Sequence, residues 1–128
     1  MDLSIKKKLN ILVQLAESDK HFAEAEWNVI SQTAKINNFP IEEVFEIMRK
    51  PEPIGLLEKL DNDTRFEYLH TCVELIMADN KLLECELAFC KSIASKLHLK
   101  EEAVDFLVEH LEKKTYSQLR AEVLQGYN

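Results

Sequence analysis

Glycine and proline are scarce: two Gly and three Pro in 128 residues, against about 12% of residues in average proteins. A fold with many tight turns draws on both residue types, so this scarcity weighs heavily against an all-β architecture. Long apolar runs are also missing. Stretches such as Leu75–Ala78 end after four residues, whereas a membrane-spanning helix needs about 20, so no transmembrane segment is expected. Peripheral association with a membrane protein stays open. Cysteine is sparse and odd in number, with Cys72, Cys85 and Cys90 all in apolar helical context. That usage fits reduced thiols in a cytoplasm better than a disulfide framework. Basic charge is in deficit: 16 Lys and Arg stand against 23 Asp and Glu, a net charge of −7. Such a chain is a poor match for a phosphate backbone, and no nucleic-acid partner is expected. Lys6-Lys7-Lys8 before Leu9–Gln14 has the outline of a signal peptide, but Asn10 and Gln14 interrupt the apolar part and no small-residue cleavage site follows. This stretch reads as the first helix.

What is present is a soluble composition, 46% hydrophobic and 30% charged, of a length that suits one domain spanning 1–128. Apolar residues recur at helical spacing and predict an all-α fold of seven or eight helices, at about 3–18, 23–37, 40–50, 54–60, 63–78, 83–97, 100–113 and 115–125. Asn37-Asn38 suits a left-handed helix end. Pro40 suits a helix start, Pro51 and Pro53 bar helix continuation, and Asp61 offers an N-cap. Residues 11–44 laid over 71–104 match at eight of 34 positions, among them Val13/Val73, Asp19/Asp79, Glu26/Glu86 and Ala34/Ala94. The helix punctuation repeats at the same offset, so two pseudo-symmetric units, about 3–60 and 63–125, are expected to share one core.

Each unit carries an acidic hairpin in which an Asp at a helix end is followed seven residues later by a Glu in the first turn of the next helix. The pairs are Asp19 with Glu26 and Asp79 with Glu86, and each pair is expected to lie close within its hairpin. Oxygen donors in such number suit a hard divalent cation. The alternative is purely structural: Glu26 and Glu86 fall at the third helical position, where a carboxylate reaches back to the cap N–H, and each Asp binds loop amides. A calcium loop of EF-hand type is excluded, because Asp79 is followed by Asn80, Lys81, Leu82 and Leu83 rather than alternating oxygen donors and a glycine.

The second hairpin, Leu75-Ile76-Met77-Ala78-Asp79 with Leu82, Glu84 and Glu86, and the later Leu97–Val104 stretch carry a family pattern; Leu15, Asp19, Phe22, Glu24, Glu26, Ala34, Phe39, Glu42 and Val44 echo it in the first unit. Over roughly residues 9–112 the chain resembles the TerB-like tellurite-resistance domain. The resemblance implies an all-helical, non-enzymatic cytoplasmic protein of a bacterial stress response, binding a metal ion through Asp19, Glu26, Asp79 and Glu86. The residue after each Asp, usually Gly in that family, is Lys20 in one unit and Asn80 in the other. The competing reading is a protein-interaction module whose acids are only caps and whose helices dock a protein partner.

The remaining polar residues read as structural. Cys85 and Cys90 are about 140° apart around a helix and lack a Cys-x-x-Cys, so no zinc site is expected. Cys72 and Trp27 read as core, His70 and His110 as helix surface, and His21 and His98 as helix junctions. There is no glycine-rich phosphate loop, and local spacing places no base beside a Ser or Cys.

Overall fold

The computed structural model describes residues 3–17, 24–54, 60–78 and 84–127. Its seven helices are α1 Leu3–Ala16, α2 Glu24–Ile36, α3 Ile41–Arg49, α4 Asn62–Met77, α5 Glu84–Lys96, α6 Glu102–His110 and α7 Tyr116–Gly126, and no strand occurs among the described residues. The all-helical expectation holds. The short helix expected at 54–60 lies mostly outside the described residues; Ile54 and Leu60 at its ends are not helical.

Local chemistry sets the helix ends. Asp61 caps α4 by accepting the Thr64 N–H at 2.7 Å, and these bonds hold the Asp61 carboxyl below its ordinary pKa. Pro40 stands one residue ahead of the position expected for it: its φ of −60° and ψ of 135° make it the N-cap, and α3 starts at Ile41. Asn38 ends α2 in the left-handed region with φ 57°, and the Phe39 N–H bonds back to the Ala34 carbonyl at 2.8 Å. Sixty residues later His98 has φ 60°, and the Leu99 N–H reaches the Ala94 carbonyl at 2.9 Å. Both follow the helix-ending motif in which a left-handed residue lets later amides satisfy the last carbonyls. Asn and His enter that region more readily than most non-glycine residues.

Two helices form the centre. α1 buries Leu9, Ile11, Leu12, Val13, Leu15 and Ala16, and α4 buries Phe66, Tyr68, Leu69, Cys72, Val73, Leu75 and Ile76. Burial on nearly every side marks helices surrounded by others. α1 packs on α2 and α3, and α4 packs on α5 and α6; α1 and α4 also touch each other. Two cross-contacts complete the arrangement, α2 on α4 and α5 on α1. α7 lies against α4 and α6 and starts with a capping box, in which Thr115 and Gln118 exchange side-chain to backbone bonds. Trp27 is not core as expected. It is half-buried at the core's edge, stacked on the exposed Phe45 ring at 5.7 Å, because its helical position faces α3 rather than α1.

Candidate functional site

Glu26 and Glu86 occupy the third positions of α2 and α5. They are among the most buried residues of the protein, 1% and 2% exposed, while Glu24 and Glu84 two residues earlier face solvent. A near-fully buried carboxylate is rare unless something compensates its charge. Asp19 and Asp79 lie outside the described residues, and so does the expected closeness of each Asp to its Glu. Among the described residues no group of three or more His, Cys, Asp or Glu is arranged to hold a metal ion. Burial pushes the Cys90 thiol well above its ordinary pKa, with Cys72 and the Glu86 carboxylate adding to the effect. The Cys90 thiol is thus held in its neutral form in the apo core.

The second site is one that the sequence reading missed. A cleft of ≈ 600 Å³ opens between α2 and α4, with Tyr116 of α7 at one edge. Lys8, 5% exposed, reaches it from α1 and forms an ion pair with Glu67 at 2.7 Å. His70, expected on the surface, is half-buried instead: its ring lies 5.6 Å from Phe66 and 4.8 Å from Tyr116, and its Nδ1 is 3.0 Å from Glu74 Oε1. The cause is α7, which lands on a face of α4 that periodicity alone leaves to solvent. Desolvation raises the Tyr116 pKa, and the carboxylates of Glu67 and Asp63 raise it further. From α2 come the exposed amides Asn28 and Gln32, with Ile36, 75% exposed, beyond them. The signal available in the sequence was the Asn-x-x-x-Gln pair itself, which also occurs at Asn10 and Gln14.

Against α1 and α5 the chain closes over itself. Residues 50–54 form an extended strap. The Glu52 N–H donates to Asn10 Oδ1 at 3.0 Å, and its carbonyl accepts from Asn10 Nδ2 at 2.9 Å and Gln14 Nε2 at 2.6 Å. Lys96 Nζ donates to the Ile54 carbonyl at 3.4 Å, and Lys6 pairs with the Glu52 carboxylate at 3.5 Å.

Comparison with protein-family models, with curated proteins and with solved structures finds no match to the chain.

Proposed function

We propose that this chain is a non-enzymatic helical module that docks a protein partner, a single TerB-like domain of two pseudo-symmetric units. The observation that carries the reading is the α2–α4 cleft. Its ≈ 600 Å³ lies in the size range of ligand sites, and it offers ionic pairs, amides and exposed apolar surface together. Support for two related units comes from helices, left-handed helix ends and cross-contacts that recur sixty residues apart. The net charge of −7 favours protein surfaces of neutral or basic character over nucleic acid. The test is selection of peptides from a displayed library on the full chain, followed by amide-shift mapping of each selected ligand. Shifts centred on α2 and α4 around the cleft support the module. Ligands that shift only remote surfaces, or a library that returns none, overturn it.

The second reading is the TerB-like one, a cytoplasmic stress-response protein whose Asp19, Glu26, Asp79 and Glu86 hold a divalent cation. The observation favouring it is the equal and near-complete burial of Glu26 and Glu86, since a bound cation is one way to compensate a buried carboxylate. Its test is thermal unfolding of chelated protein with Ca²⁺, Mg²⁺, Mn²⁺ or Zn²⁺ added back. An ion bound only by the folded state stabilises by about 2.7 kcal/mol at a hundredfold excess over Kd, and Asp79→Asn should shrink that gain. Superposable unfolding curves at millimolar ion leave the acids as caps.

A further inference from the structure

The two clefts beside the central helices are walled by helices at a sixty-residue offset but differ in their lining and contents. α1 meets α5, and α4 meets α2. Asn10, Gln14 and Lys96 of the filled cleft stand sixty residues from His70, Glu74 and Ile36 of the open one. In the filled cleft, one Asn side chain pairs with both the N–H and the carbonyl of Glu52, and a Gln four residues on shares that carbonyl. An amide used in this way recognises extended backbone whatever side chain it carries. Pro51 and Pro53 keep the strap extended. After α6 the chain takes another course: turn residues 111–114 lead to the capping box of Thr115 and Gln118, which starts α7, and no strap of this kind enters the α2–α4 cleft among the described residues.

We propose that the α2–α4 cleft binds an extended peptide segment of a partner, carrying a basic side chain, with its backbone paired to Asn28 and Gln32. The assignment rests on the binding-module reading and names its occupant. Asn28 and Gln32 reproduce the four-residue spacing of Asn10 and Gln14, on the opposite wall, and both are exposed. Charge selects the side chain. The filled cleft sets Lys6 and Lys96 about a strap that carries Glu52. In the open cleft Glu67 and Glu74, each 48% exposed, stand sixty residues from Lys7 and Gln14. Lys8 offsets Glu67, and Glu74 remains beside a His70 that carries charge only when protonated. A Lys or Arg in the place that Glu52 takes on the other side is therefore the complementary choice. Ile36 and Tyr116, 75% and 44% exposed, offer an apolar contact at the rim.

The probe is a synthetic peptide of residues 49–54 bearing Glu52→Lys, titrated into the full ¹⁵N-labelled chain, with the unaltered peptide as control. Expected are shifts of the Asn28 and Gln32 side-chain amides and of backbone amides in 28–37 and 70–74. The Lys peptide should bind about threefold to tenfold more tightly than the Glu peptide at low salt, a preference that fades at high ionic strength. The double variant Asn28→Ala with Gln32→Ala should lose about fivefold or more in affinity for the Lys peptide, with an unchanged unfolding midpoint, and Glu74→Gln should erase the charge preference. Equal binding to the double variant, shifts confined to other surfaces, no shift at millimolar peptide, or a concentration-dependent dimer burying the cleft each overturn the proposal. If library-selected ligands still map to the cleft without needing Asn28 and Gln32, the extended-segment proposal fails while the module reading stands. If no ligand maps there, the module reading fails as well.

Discussion

The α1–α5 and α2–α4 clefts differ in their lining residues and in what the chain does after leaving α3 and α6. After α3, Lys50-Pro51-Glu52-Pro53 cannot continue a helix, and the extended strap lies where Asn10 and Gln14 pair with its peptide groups. After α6, a capping box redirects the chain into α7, which buries part of α4 but leaves the space beside α2 open. Two prolines on one side and one Thr-x-x-Gln on the other thus decide which cleft is closed. The cores beneath differ in a second way. α1 and α2 place Leu12 and Ile30 there, and sixty residues later α4 and α5 place Cys72 and Cys90, all four nearly or fully buried.

The largest effects should come from the shared core. Leu9 and Leu69 stand sixty residues apart on the two central helices, both 0% exposed, and truncation of either to Ala should cost about 2–5 kcal/mol in urea unfolding. A cost confined to one of them would show that α1 and α4 do not share the core equally.

Alkaline pH should act next, on the α4–α5 side of the core. Burial raises the Cys72 thiol to about 12 and the Cys90 thiol well above its ordinary value, while an unfolded thiol titrates near 8.5. Above about pH 8.5 the folded state therefore holds protons that the unfolded state has lost. Stability is full below that pH and falls as pH rises, by about 1.4 kcal/mol per pH unit for each thiol, until the folded thiol itself ionises. Cys72→Ala should remove its share of the slope, read from unfolding curves between pH 7 and 10. The exposed Cys85 should react with a thiol reagent in the native protein, and Cys72 and Cys90 only on unfolding.

Smaller effects address the clefts directly. Asn10→Ala removes the acceptor of the Glu52 N–H and one of the two donors to its carbonyl and should cost about 1–3 kcal/mol, whereas Asn28→Ala, at an exposed position, should stay within about 0.5 kcal/mol. Similar losses for both would mean that the open cleft has an internal occupant. Thr115→Ala removes the α7 cap and should cost about 0.5–2 kcal/mol, seen as a lowered midpoint with fraying of Tyr116–Gly126 in amide exchange.

Much of the fold was legible in local sequence. The left-handed stop at Asn38, the Asp61 cap and the interruption at Pro51 and Pro53 act over a few residues of backbone, and the structure keeps all of them. The third-position placement of Glu26 and Glu86 was equally local. Trp27 and His70 were misplaced because helical period tells which face an apolar stripe covers but not which helix arrives to cover the other face. His70 owes its burial to Tyr116, forty-six positions away in sequence.

The amino-acid order by itself therefore determined an acidic chain of short helices, their caps and stops, and a repeat of punctuation at sixty residues. These features follow from backbone hydrogen bonding and side-chain spacing within a few turns. Tertiary structure alone decided that Lys8 and two glutamates are enclosed, that a strap 42 residues from Asn10 closes one cleft, and that the other stays open. Those outcomes depend on helices packing across long sequence separations, where the contacts that compensate a buried charge or satisfy a peptide group exist only once the whole core has assembled.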